Sequence, residues 1–185
     1  MTNSILELED ADVILIFGSN TTETHPIIAS TVKRAISKGT TLIVVDPRRT
    51  DIAKMAHLHL QPRVGTDIPL INSMIKTIIE KGLHNKAFID EHTEGFEALA
   101  EHVKKYSLEE AERLSGVPAS KVAAAAETYA KAKNGSICYT MGMTQHICGV
   151  DNVMSMANLV MTCGHIGRPG VGVNPLRGQN NVQGA

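Results

Sequence analysis

Neither sign of charge dominates this 185-residue sequence: 18 lysines and arginines stand against 19 aspartates and glutamates, a formal net charge of −1. A basic stripe able to neutralise phosphates is therefore missing, which excludes nucleic acid and membrane surfaces as general partners. No apolar run approaches the ~20 residues that a membrane span needs. The opening stretch, MTNSILELED, is acidic and lacks the layout of a secretory signal. Cysteine is scarce. Cys138, Cys148 and Cys163 never form a C-x-x-C pair, so they read as reduced, mostly core thiols of a cytoplasmic protein rather than a disulfide or zinc framework. The G-x-G-x-x-G fingerprint is also missing, since Gly18 stands alone after the first apolar run, and an ordinary NAD site is disfavoured. There are no internal repeats and no low-complexity linker, so residues 1–185 read as a single α/β domain.

What is present is a repeated strand–helix scheme. Hydrophobic residues make up 43% of the chain, enough to fill a core at this length. DVILIFGSN is a β-branched run ending in a turn signal, a buried strand by length and composition. A helix follows: Thr24 can cap it, Pro26 suits its first turn, Ile27, Ile28, Val32, Ala35 and Ile36 form one face, and Gly39 closes it. TLIVVDPRR repeats the strand, HLHLQP gives a shorter third, and GTDIPLINSMIKTIIEKG gives a long helix. Residues 86–133 read as three or four helices, a cap inserted before the last strand, GSICYTMGMTQ. DNVMSMANLVMTCG is a final helix capped by Asp151 and stopped by Gly164, with Met154, Met156 and Met161 as core. The remainder, 164–185, reads as glycine-rich coil with few apolar anchors after Gly170, and hence as loosely packed. Strands and helices alternating over short links predict a Rossmann-like parallel sheet with helices on both faces and an inserted helical segment.

In such a sheet, ligands bind at the carboxyl ends of the strands. The four segments there are Gly18–Glu23, Asp46–Arg49, Gln61–Asp67 and Met141–Gln145, all rich in small residues, amides, carboxylates or arginine. Ser19, Asn20 and the neighbouring threonines can hold a phosphate with a helix amino end, or simply turn the chain. Asp46 can bind a ribose hydroxyl or cap the helical piece at 51, and Arg48 and Arg49 favour a phosphorylated ligand. Thr66 and Asp67 can start a helix, yet a carboxylate can also accept both N–H groups along the edge of guanine. His25 reads as structural. His57 and His59 share a strand face but lack a third ligand for a metal.

GSNTTETHPI, VVDPRRT, GTD, MGMTQH and GRPGVGVNPLRGQNNVQGA, in that order, resemble the molybdopterin oxidoreductase family, and within it the catalytic (alpha) subunits of formate dehydrogenases. The resemblance runs over nearly the whole chain, and the last motif is the most specific. It implies a bis-molybdopterin guanine dinucleotide cofactor carrying molybdenum or tungsten, with this chain gripping one dinucleotide. Carried over to matching positions, the cofactor contacts are Gly18, Ser19, Asn20, Glu23, Asp46, Pro47, Arg48, Gly65, Thr66, Asp67, Met141, Gly142, Gln145 and Gln179. Arg177 falls on the arginine that would hold formate during its oxidation to carbon dioxide. No match exists here to the cysteines of a 4Fe-4S cluster or to the metal-ligating cysteine or selenocysteine. The chain is therefore expected to be a piece of a larger subunit, inactive alone, whose partners are that subunit's remaining domains and iron–sulfur electron-transfer subunits. The equivalent domain of a nitrate reductase and a non-catalytic nucleotide-binding scaffold are the alternatives.

Overall fold

The structure is a computed structural model, and it describes residues 1–178. A 3-10 turn at Ile5–Asp10 leads into β1 (Val13–Phe17), α1 (Thr21–Thr24) and α2 (Pro26–Ser37). Then come β2 (Thr41–Val45), α3 (Asp51–Lys54), β3 (Leu58–Leu60) and α4 (Asp67–Glu80). Four helices follow: α5 (Lys86–His92), α6 (Phe96–Val103), α7 (Leu108–Ser115) and α8 (Ala119–Lys131). The chain ends with β4 (Gly135–Tyr139), α9 (Met141–Thr144), α10 (Gly149–Cys163) and β5 (Gly172–Pro175).

The five strands form one sheet in the order β3-β2-β1-β4-β5, every pair parallel. The chain winds outward from β1 to β3, then returns to lay β4 against the other side of β1. The strand order therefore reverses between β1 and β4, where a crevice opens at the carboxyl ends. Strands this apolar have no water-facing side. Ile14, Ile16, Leu42 and Val44 pack under α2 and the 3-10 turn, while Leu15, Phe17, Ile43 and Val45 pack under α4, α8 and α10. Each such side chain taken from water contributes about 1.5–3 kcal/mol, which fixes the alternation in both directions.

Several expectations change. The helical segment does not stand apart as a cap, because Val122, Ala125, Ala126 and Tyr129 of α8 belong to the same core cluster as Leu15 and Ile43. The glycine-rich remainder is not all coil. Gly172–Pro175 is an edge strand beside β4, with Val171 and Leu176 buried and the Leu176 amide donating to the Tyr139 carbonyl at 2.8 Å. Glycine and proline argue against a central strand but are tolerated at an edge. Met154 is exposed on α10 and Ile27 on α2, whereas Met156 and Ile28 are buried. Gly164 does stop α10, at φ 68°, but Asp151 lies inside the helix rather than capping it.

Candidate functional site

The β1 and β4 turns touch backbone to backbone. Gly18 has φ 53°, and a Cβ there would lie 2.7 Å from the Gly142 carbonyl carbon. The Thr140 hydroxyl donates to the Gly18 carbonyl and locks the two turns together. A side chain at either glycine would push them apart. The carboxyl ends of four strands can thus surround one groove of about 340 Å³.

Its walls come from segments far apart in sequence: Gly18 and Asn20 after β1, Asp46, Pro47 and Arg48 after β2, Gly65 before α4 and Asp67 at its first position, Met141 and Gly142 after β4. Asp46 is buried, and its Oδ1 accepts the Arg48 amide at 2.8 Å, with the Arg48 guanidinium at 3.7 Å. It does not cap α3. Thr50 does, its hydroxyl accepting from the Ala53 amide. Gly65, at φ 82°, has no atom within 4 Å of where a Cβ would sit, so the loop leaves open space there. Thr66 and Asp67 do start a helix. The Thr66 hydroxyl, however, donates to the Arg63 carbonyl at 2.6 Å rather than capping α4.

Asp67 is the unusual group. It is 9% exposed, and among the described residues no other residue donates a hydrogen bond to its carboxylate. Burial pushes its carboxyl above the usual carboxylate range, and the nearby Asp46 charge adds to that. His146 and Asp67's own amide work against it. The Asp67 oxygens are not among the fully buried unpartnered atoms, so they open onto the groove, where a ligand donor can reach them. His146 also lines the groove, with Nε2 donating to the Gly142 carbonyl at 2.8 Å.

Four expected contacts lie off this wall. Ser19 turns inward, 1% exposed, to pair its hydroxyl with that of Thr21 at 2.9 Å. Glu23 is exposed on α1, Thr66 is engaged as described, and Gln145 is exposed at the end of α9. Gln179 lies outside the described residues. Arg177 borders a separate cavity of about 120 Å³, which shares Thr140 and Met141 with the groove. Its backbone carbonyl accepts from His25 Nε2 at 2.8 Å, so His25 ties the end of β5 to α1 and α2. His57 and His59 also serve the backbone, bonding the Leu42 amide and the Asp46 carbonyl.

Sequence reading missed Thr24, Arg63, Thr140 and His146 on the groove wall. Arg63 had a signal, since it lies within the Gln61–Asp67 loop; its guanidinium donates to the last carbonyls of α7, Arg113 O and Leu114 O. His146 had a weaker one, four residues after Gly142. A second cavity of about 330 Å³ lies between α5, α6 and α10, lined by Ile89, Phe96, Leu99 and Met161, away from the strand ends. Among the described residues no three His, Cys, Asp or Glu side chains converge as metal ligands, and no helix is long and apolar enough to cross a membrane.

The Molybdopterin oxidoreductase family model matches residues 1–185. The F420-dependent formate dehydrogenase 2 subunit alpha of Methanococcus maripaludis is 52% identical over 185 residues, which are all of this chain and 27% of that protein. Formate dehydrogenase H of Escherichia coli is 44% identical over the same length, 26% of its own. The chain thus spans about a quarter of the curated relatives it matches. Among solved structures, acetylene hydratase from Pelobacter acetylenicus aligns with a TM-score of 0.81 at 27% identity, covering 88% of this chain and 24% of that one.

Proposed function

This chain belongs to the molybdopterin oxidoreductase family, and from that premise we propose that its groove grips the guanine nucleotide end of a molybdopterin guanine dinucleotide in a formate-oxidising subunit. The observation that carries this is Asp67, a buried carboxylate at a groove wall with no donor from another described residue. Guanine offers adjacent N–H donors along one edge, and a carboxylate can accept both, whereas adenine places an acceptor there. Asp46 is suited to accept from a ribose hydroxyl, and Arg48 to pair with a phosphate. The Gly18–Gly142 contact lets the ligand approach the backbone where strand order reverses. The names of both curated relatives favour formate over nitrate as the substrate.

The cofactor, when bound, supplies the two-electron redox chemistry of molybdenum or tungsten. This chain's own part is to bind and orient. Arg177, on the far side of Thr140 and Met141 from the nucleotide groove, presents a fixed cation to formate and holds its carboxylate in register. We assign Ser19, Glu23, Thr66 and Gln145 no direct hold on the nucleotide end, and leave Gln179 as a cofactor contact beyond it. The metal ligand, the 4Fe-4S cluster and the second dinucleotide grip belong to other parts of a longer cytoplasmic subunit, which passes electrons to iron–sulfur partners. By itself the chain does not turn over formate.

Calorimetric titration of the cofactor-free full-length subunit tests this. GDP should bind, ADP and NAD should bind at least about tenfold more weakly, and Asp67→Asn should remove the preference for GDP. Preference for NAD, or a GDP affinity indifferent to Asp67→Asn, would refute it.

A further inference from the structure

We propose that Tyr139 is a positioning residue of the small cavity beside Arg177, its phenol giving a second hydrogen bond to a small carboxylate that the guanidinium holds. This rests on the reading of Arg177 as the cation that receives formate. β4 ends at Tyr139, and β5 runs beside it with Pro175 opposite that residue. Just beyond β5 the Leu176 amide bonds the Tyr139 carbonyl at 2.8 Å, which brings the next residue, Arg177, beside the end of β4. Both residues line the cavity of about 120 Å³, together with Thr140, Met141 and Thr144. One water occupies about 30 Å³ in the liquid. The space holds about four waters' worth of volume, room for a three-heavy-atom anion.

The phenol is otherwise unexplained. Tyr139 is 5% exposed as a residue, yet its hydroxyl, which bonds no described residue, is not among the fully buried unpartnered atoms and so opens onto the cavity. Burial raises the phenol above its ordinary range and the Arg177 charge opposes that, so the group stays an O–H donor at neutral pH. Arg177 itself is held at its backbone by His25, at 2.8 Å. A guanidinium uses its planar fork on a carboxylate, and each carboxylate oxygen keeps a further lone pair for another donor. The phenol fits that lone pair, and its loss should weaken ground-state binding more than the subsequent chemistry.

The test uses the full-length, cofactor-loaded enzyme carrying Tyr139→Phe, Tyr139→His or Arg177→Ala. Tyr139→Phe removes only a hydroxyl that bonds to no described residue, so thermal midpoint and guanine content should match the parent. KM for formate should rise about tenfold or more, kcat should change far less, and Tyr139→His, which keeps a ring donor, should recover part of the loss. An unchanged KM in Tyr139→Phe, beside an impaired Arg177→Ala, overturns the role of Tyr139 and leaves the reading of Arg177 standing. A Tyr139→Phe enzyme that loses cofactor or thermal stability, with KM unchanged, shows a structural residue and overturns it too. If Arg177→Ala keeps its full kcat/KM, the underlying reading fails first.

Discussion

Asp67 is under two opposed demands. Burial penalises its charge, whereas a guanine edge needs that charge as an acceptor. Its folded carboxyl titrates above the unfolded value, so its contribution to stability is complete below the unfolded pKa and is lost as pH rises through the folded one. At neutral pH the ligand-free fold therefore carries a cost. Asp67→Asn should raise the thermal midpoint of the ligand-free protein at pH 7, and the difference should shrink toward pH 4. The same change should weaken GDP about 10- to 100-fold. Scanning calorimetry and titration on one variant give the two opposite signs, and a purely structural aspartate would give only one. Gly18→Ala is expected to fail differently. It places a side chain in a left-handed conformation against the Gly142 backbone, which should cost more than about 1 kcal/mol and part the β1 and β4 turns.

Between elements, two attachments are open to test. Glu127 on α8 bonds Lys131 one turn on and Lys81 just after α4, clamping the two helices that cover one sheet face. Those lysines lower its carboxyl to about 2, the Lys131 hydrogen bond being the largest cause. The folded pKa is depressed, so this contribution is present above the unfolded value near 4.5 and fades as pH falls toward 2. Glu127→Gln should flatten that part of the stability–pH curve, and added salt should mimic the substitution. The second attachment is β5. Leu176 is 4% exposed against the cluster of Ile14, Ile16 and Val32, so Leu176→Ala should cost about 2–5 kcal/mol. Hydrogen exchange should find the Leu176 amide protected through its bond to Tyr139.

For the molecule as a whole, the sheet order and the groove make one linked claim about stability. A ligand that binds only the folded state at a hundred times its dissociation constant stabilises by about 2.7 kcal/mol. GDP at that ratio should raise the thermal midpoint of the ligand-free protein, and NAD at the same concentration should raise it by about half as much or less. The shift should fall to about half or less in Asp67→Asn even though that variant starts from a higher midpoint. Because the chain is about a quarter the length of its curated relatives, formate turnover is a property to measure on the longer subunit.

The sequence by itself determined β1, β2, β4 and the long helices, because apolar period, turn residues and Pro26 act within a few neighbours. It also determined which polar turns would meet, since parallel βαβ winding sends all strand ends to one rim. Only the tertiary structure decided the rest. A four-residue strand with a glycine and a proline exists because β4 offers it an edge. The α8 helix lies in the sheet-covering layer because its alanines allow close approach there. Ser19 turns inward, Asp67 is mostly buried at the groove wall, and Tyr139 comes to line one cavity with Arg177, because burial and cross-strand neighbours depend on residues far away in the chain, which no local pattern records.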